Sequence, residues 1–298
     1  MNTPRISVVL PLYNGVDFVD ETIRSVLLQD RDDFELLIID DGSNDGSDVL
    51  ARSWAERHPG TIFYLTHPDR KNHGLSATRN RGISQARGEL VAFIDADDVW
   101  IEGKLDYQVD IMDRYPEIAC VAGAAEYWSS WNGGTDVVKS AGSDLDAVTP
   151  RGQAVRTIYP LGNAQAPCPS ALMVRADVLA QIGGFEESFT HAMQLYEDQA
   201  FLMKLYLDHA IYFSSRCHLR YRQHDASIVS HVKGAGQYLA VRNQFLGWFA
   251  RYLRAHGDVP ISIWAALFRA RWRPYYRPIL AALRRYKRAL LPTRPSLG

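Results

Sequence analysis

Apolar and polar positions switch between two periods along the first third of the chain, and the switching is itself regular. Residues 6–10 are apolar and β-branched, and Pro11 is expected to end the strand they form. Residues 17–29 place Phe18/Val19, Ile23 and Val26/Leu27 at helical spacing. Residues 34–39 form a short continuous apolar run, as in a strand buried on both faces. Residues 45–57 read as a second helix and 62–65 as a third strand. A helix over 75–86, with Gly88 near its end, leads into a fourth strand at 90–94, and a helix over 103–115 stops at Pro116. Strand and helix in turn argue for an α/β fold, a largely parallel sheet covered by helices.

The second half is less regular. Residues 128–150 are rich in Gly, Ser and Asp and read as a long loop with room for a hairpin. A strand over 171–174 and a helix over 176–182, closed by Gly183-Gly184, follow. Residues 197–207 are helical and 211–221 hold one or two strands. From Val232 onward the pattern is helical and increasingly basic, and the chain shows no internal repeat.

Charge sharpens that last division. Of the 33 Lys and Arg, nine fall between Val259 and Gly298, a stretch without Asp or Glu. The body before it therefore holds 24 basic and 34 acidic side chains, although the whole chain is close to neutral at -1. Hydrophobic residues at 47% and charged residues at 22% are ordinary for a soluble domain. Cys120, Cys168 and Cys217 are odd in number and lack close metal-ligand spacing, so free thiols in a reducing compartment are expected. No signal-peptide pattern opens the chain, and no apolar run approaches the roughly 20 residues needed to span a bilayer. The expected location is cytoplasmic, with a peripheral position at the inner membrane surface open.

In a parallel sheet of this kind ligands bind beyond the carboxyl ends of the strands. Three predicted strands end on polar residues: Tyr13 and Asn14, then Asp40 and Asp41, then Asp95, Asp97 and Asp98 around Ala96. Three carboxylates within four residues repel one another unless a cation or hydrogen-bond donors offset them. Magnesium and manganese take oxygen ligands and bridge carboxylates to phosphates. A solvated turn or a helix cap explains the same four residues as well. Asp40-Asp41-Gly42-Ser43 suits either a base or ribose contact or an Asx-turn. Asn72 to Asn80 opens a helix in which Gly74 lets backbone approach a ligand. There Arg79 suits a diphosphate or a base carbonyl, or the protein surface. Glu197-Asp198 at a helix start reads as a general base or as plain dipole compensation. Arg222, His224 and Ser227 follow a strand, and His224 suits a phosphate, a metal or a merely satisfied polar role. P-loop, dinucleotide, zincin and serine-hydrolase motifs are missing.

Taken in order, these segments resemble the family-2 glycosyltransferases of the GT-A fold. The matching residues are Val8 to Asn14, Asp40-Asp41-Gly42-Ser43, Gly74 with Ala77 to Gly82, Asp95-Ala96-Asp97-Asp98, Ile182 to Phe185, Glu197-Asp198, and Tyr221 to His224 with Ser227. The resemblance covers roughly residues 5–230. It implies a GT-A domain over 1–231, with 1–110 binding a nucleotide-sugar and 111–231 an acceptor, and a basic helical extension over 232–298. Pro11, Tyr13 and Asn14 would line the nucleobase pocket, with Asp41 reading the base and Asp40 supporting the loop. Arg79 would meet the base or diphosphate. Asp95, with Ala96 beside it, would lie against the ribose or the metal. Asp97 and His224 would hold a divalent manganese or magnesium ion, with Asp98 and Arg222 close by. Asp198 would be the catalytic base, with Glu197 next to it.

The implied reaction is inverting transfer from a nucleotide diphosphate-sugar, most often a UDP-sugar, to a hydroxyl of a glycan or lipid-linked glycan. Synthesis of bacterial-type cell-surface polysaccharide or glycolipid is the implied setting. Residues 268–291 mix arginines with aromatics and leucines, which suits either an anionic membrane or the acidic body of the protein. Nucleic acid fits the rest poorly. Two rivals stand beside this reading: a metal-dependent sugar nucleotidyltransferase, which would need a Gly-rich loop where Pro11-Leu12-Tyr13-Asn14 stands, and a non-catalytic nucleotide- or carbohydrate-binding module.

Overall fold

The computed structural model describes residues 3–224, 232 and 234–274. Ser227 and the part of the basic tail from 275 to 291 lie outside these residues. In chain order the first half runs β1 (Ile6–Leu12), α1 (Val19–Leu27), β2 (Phe34–Asp40), α2 (Ser47–Arg57), β3 (Ile62–Thr66), α3 (Leu75–Gln85), β4 (Leu90–Phe93), β5 (Val99–Trp100), α4 (Lys104–Arg114) and β6 (Ile118–Trp128). Then come β7 (Val137–Lys139), β8 (Ala147–Thr149), α5 (Gln153–Thr157), β9 (Leu172–Arg175), α6 (Ala176–Ile182), α7 (Glu197–Asp208), β10 (Ala210–Arg222) and α8 (Tyr238–His256). Residues 261–274 form a further helix.

The strands join in one sheet of order β3-β2-β1-β4-β9-β6-β10-β5, with β7 on β6 and β8 on β10. The first four are parallel, as expected. The second half departs from a parallel sheet, because β9 lies antiparallel between β4 and β6. That reversal brings the turn before β9, with Ser170, to the edge where β4 ends.

Alternation along each strand divides the core into two layers. Val8, Leu10 and Ile38 face α1 and α4 through Val19, Ile23, Val26, Leu105 and Val109. Val9, Ile39 and Phe93 face the other side, with Leu179 of α6, Phe201 of α7 and Phe245 of α8. The helical extension thus completes one of the two layers. The helix α3 lies so close to the sheet that a Cβ on Gly82 would stand 2.5 Å from Val9 Cγ1 and 2.8 Å from Ile39 Cδ1.

Pro11 does not end β1, which runs on to Leu12. Val9 O accepts from Ile94 N on the β4 side, and Leu12 O accepts from Asp41 N on the β2 side. Pro11 therefore points toward β4, beyond the last β1–β4 pair at Val9–Phe93, where its missing N–H costs no ladder bond. The loop expected over 128–150 holds the short strands β7 and β8, and the long strand β6 before it was not anticipated.

Candidate active site

The carboxyl ends of β1, β2, β4, β6 and β10 and the start of β9 converge on one edge of the sheet. Two cavities open there. The first, of about 660 Å³, is lined by Pro11, Tyr13, Asn14, Asp41, Asp95, Ala96, Asp97 and His224, joined by Phe18, Asn72, Gly74 and Gln194. The second, of about 950 Å³, is lined by Asp97, Tyr127, Tyr159, Asn163, Tyr196, Asp198, Tyr221, Arg222, His224 and Tyr238. Asp97 and His224 belong to both, and His224 Nε2 lies 2.9 Å from Asp97 Oδ2.

On the first cavity Tyr13 is 53% exposed, a ring face open to solvent. Asn14 sits in the left-handed region, φ 49°, and its Oδ1 accepts from Asn44 N at 2.9 Å, tying the β1 loop to the β2 loop. Asp41 is fixed by backbone: His73 N and Gly74 N donate to its two oxygens at 2.7 and 3.0 Å. Asp40 does not reach the cavity. It is buried, accepting from Ser43 N at 3.1 Å and from the Tyr64 hydroxyl at 2.9 Å, so it supports the loop from within.

The acidic motif after β4 divides by environment. Asp98 is fully buried, accepting from Ser170 Oγ at 2.5 Å and from Arg222 N at 3.0 Å. Burial first, then the charges of Asp97 and Asp95, push its pKa well up. Ser170 Oγ also accepts from Asp95 N at 3.0 Å, so one hydroxyl shapes the turn from inside. Arg222 donates to Asp97 O at 2.8 Å and to Glu21 at 2.5 Å. Phe18, Trp128 and Trp131 surround its guanidinium at 4.3–5.0 Å from the ring centroids.

Two expected contacts are not made. Arg79 lines neither cavity. Its side chain is 1% exposed, ion-paired to Asp95 at 2.5 Å and to Glu197, with Phe185 beneath it. Burial pulls its pKa down, but the two carboxylates outweigh that and the net shift is upward. Glu197 likewise does not reach the second cavity, because Arg79 takes one oxygen and Ser76 Oγ donates to the other at 2.8 Å. The same pairing draws Asp95 toward Arg79 and away from a three-ligand metal set. Among the described residues no three His, Cys, Asp or Glu side chains come together as a metal-ligating group.

Asp198 stands differently from its neighbour. It opens the α7 helix, lines the second cavity and accepts from its neighbour Gln199 N at 2.6 Å. Enclosure by protein, and then the charge of Glu197, raise its pKa to about 7. A carboxylate poised there is half in its basic form near neutrality and can take a proton from a bound hydroxyl. Ser170, Phe18, Gln194 and the tryptophans around Arg222 escaped the sequence reading. Ser170 alone left a signal, as the last polar residue before an apolar strand, preceded by Pro167 and Pro169.

The family model described as glycosyl transferase family 2 matches residues 7–183, more than half of the chain. The chain belongs to that family. Among curated relatives of this glycosyl transferase family 2 protein, the uncharacterized glycosyltransferase RC0461 of Rickettsia conorii is 38% identical over 114 residues, 38% of this chain and 18% of the relative. RP339 of Rickettsia prowazekii is 24% identical over 72% of this chain and 65% of its own length. The chain therefore spans less than two thirds of either relative. Among solved structures, TarS 1-349 of S. aureus matches with TM-score 0.63 at 20% identity, over 91% of this chain and 73% of that one. TarS has also been solved with UDP-GlcNAc. Mannosyltransferase PcManGT of Pyrobaculum calidifontis, in complex with GDP-Man and Mn2+, matches with TM-score 0.62 at 18% identity, over 98% and 77% of the two chains. The fold is the GT-A fold.

Proposed function

We propose that this family-2 protein is an inverting glycosyltransferase that moves a sugar from a nucleoside diphosphate-sugar, a UDP-sugar foremost, to a hydroxyl of a glycan or lipid-linked glycan. The first cavity takes the donor and the second the acceptor. One observation carries the reading: Asp198 lines a cavity that meets the donor cleft at Asp97 and His224. A sugar lying across that junction has its nucleotide on one side and the base on the other.

Tyr13 offers a stacking face for the nucleobase, and Asp41, held by two backbone N–H groups, has lone pairs left for a base N–H. Asp198 takes the proton of the acceptor hydroxyl as its oxygen bonds to the anomeric carbon. The bond from that carbon to the diphosphate oxygen breaks, and its electron pair leaves with the nucleotide. No second catalytic carboxylate is required, which agrees with the structural role of Glu197. Asp97 Oδ2 and His224 Nε2, an oxygen and a nitrogen donor 2.9 Å apart, would hold a divalent ion, manganese or magnesium. Such an ion, when bound, neutralises charge on the departing diphosphate.

A cell-surface polysaccharide or glycolipid pathway at the cytoplasmic face of a membrane is the setting we assign. No helix among the described residues is long and apolar enough to cross a bilayer. The helix over 261–274 instead turns Ile261, Phe268 and Trp272 outward, 87%, 65% and 51% exposed, with Arg269 and Arg271 beside them. Its other face, Ile263, Ala266, Leu267 and Ala270, is buried in the core. An apolar stripe flanked by arginines suits the surface of an anionic bilayer.

The test is nucleotide release from a panel of nucleotide-sugars, with manganese, magnesium or chelator, for wild type and Asp198→Asn. Turnover of one donor that needs metal, lost in Asp198→Asn while the nucleotide still binds, is the expected result. Nucleotide binding to neither protein would overturn the donor-site assignment.

A further inference from the structure

The acceptor cavity continues into a shallower one of about 340 Å³, and the two share Tyr159, Asn163 and Tyr238 as walls. The far wall is made by Arg242 of α8 and Arg273 of the helix over 261–274, and no carboxylate lines this cavity among the described residues. Arg242 is 4% exposed. Its Nη2 donates to Ala270 O at 2.9 Å and to Pro160 O at 3.4 Å. Its Nη1 is buried with no hydrogen-bond partner among the described residues. Arg273 donates to Gly162 O at 3.2 Å and to Asn163 Oδ1. A guanidinium is permanently charged and presents five N–H donors. Carbonyl oxygens satisfy some of those donors on Arg242 but none of its charge, and a buried charge without a counter-ion is costly.

We propose that this cavity binds a phosphoryl group carried by the acceptor. The inference rests on the reading of the larger cavity as the acceptor site. An anion with several oxygens supplies the acceptor and the countercharge that, among the described residues, Arg242 Nη1 and the two arginines lack. Tyr159 and Tyr238, whose hydroxyls bond to each other, stand between this cavity and Asp198. An acceptor would therefore lie with its reacting hydroxyl at Asp198 and its phosphoryl end at the arginines. The phosphoryl group could belong to a water-soluble glycosyl phosphate or to a lipid headgroup, since the outward apolar stripe of 261–274 lies on the helix that carries Arg273.

Calorimetric titration of the full chain with inorganic pyrophosphate, in the presence of chelator, tests the site. Chelation removes the metal through which a diphosphate would occupy the donor cleft. Wild type is expected to bind, Arg273→Gln to bind about tenfold or more weakly, and Asp97→Asn to bind as wild type does. Arg242→Gln should weaken binding as Arg273→Gln does, and where it fails to fold, Arg242→Lys, which keeps the charge and loses the fork, should weaken binding in the same direction. Flotation with phosphatidylcholine vesicles, with and without phosphatidic acid, separates the sources. Pyrophosphate binding lost in Arg273→Gln without vesicle capture assigns a soluble phosphate. Capture that needs phosphatidic acid and is lost in Arg273→Gln assigns a lipid-borne one. Equal binding of both probes by wild type and Arg273→Gln overturns the proposal, as does no binding by wild type. A wild type that binds pyrophosphate through Arg273 yet turns over no donor would leave the anion site standing and remove glycosyl transfer.

Discussion

Arg79 and Asp95 meet at 2.5 Å, Nη2 to Oδ1, across the join between α3 and the end of β4. Glu197 closes on the other arm of the same guanidinium, so one buried cation ties the wall of the first cavity, at Asp95, to the helix that carries Asp198. Removing one partner of such a pair leaves a buried charge uncompensated. Arg79→Met should therefore cost about 3–5 kcal/mol of stability. The measurement is the urea midpoint of unfolding. An unchanged midpoint, with weakened nucleotide binding, would instead place Arg79 on the ligand.

Asp198 sets a pH dependence. Its pKa is pushed up to about 7, by enclosure first and Glu197 second, and the transfer proposed above needs its deprotonated form. kcat/KM should rise with pH through about 7 and level off above it, and Asp198→Asn should lose about 10²–10⁴-fold and flatten that limb. Stability runs the opposite way. A carboxyl whose folded pKa is raised stabilises the fold most below its unfolded value and loses that contribution as pH rises through about 7. Asp198→Asn should accordingly unfold at higher urea than wild type at pH 8, with the gap closing as pH falls below 7. A gap independent of pH would show that Asp198 titrates normally.

How much of this was legible depended on what each signal measures. The β–α order of the first half was clear, because short strands buried on both faces read as unbroken apolar runs. β6 was not, because Ile118-Ala-Cys-Val-Ala-Gly-Ala-Ala holds mostly small residues with weak strand preference. Its place in the sheet comes from β9 and β10 on either side. Pro11 misled for a related reason: whether a proline stops a strand depends on which neighbour its nitrogen faces. The polar residues at the strand ends were found by type and position. Which of them face the cavity was not, since Asp97 and Asp98, or Glu197 and Asp198, are adjacent in sequence and opposite in environment. The partners that decide it, Ser170, Ser76 and Arg79, come from distant segments.

Gly82 offers a test of packing. A Cβ there would fall 2.5 Å from Val9 Cγ1, so Gly82→Ala must push α3 off β1 or distort both. Overpacking of this kind costs about 1–3 kcal/mol, against the gain in helix preference that alanine would bring on an open helix face. A loss of stability by denaturant titration is the expected outcome, and a gain would mean that α3 stands further from the sheet.

Asp97 and His224 touch each other at the junction of the two cavities and should act as a pair toward metal. Asp97→Asn keeps the shape but removes the charge that a hard cation requires. The manganese concentration for half-maximal turnover should rise by about 10–100-fold or more, with nucleotide binding in chelator unchanged. His224→Gln should shift the same quantity in the same direction. A shift in Asp97→Asn alone would leave His224 as a contact to phosphate.

Phe268 and Trp272 lie one turn apart on the outward face of the helix over 261–274, their ring centroids 6.1 Å apart. Neither belongs to the buried face, and the thermal midpoint of Phe268→Asp with Trp272→Asp, measured alongside, separates a loss of capture from a loss of fold. Both would lose their insertion into a bilayer, and each added carboxylate would oppose the attraction of Arg269 and Arg271 to anionic lipid, worth about 1 kcal/mol per arginine. Wild type should therefore be captured by vesicles containing phosphatidylglycerol and not by pure phosphatidylcholine. Added salt should weaken capture, because the attraction acts within a Debye length of about 10 Å. The double variant should bind about tenfold or more weakly at the same lipid concentration. Equal capture of wild type and variant would take the apolar stripe out of membrane binding and leave it as a surface for protein.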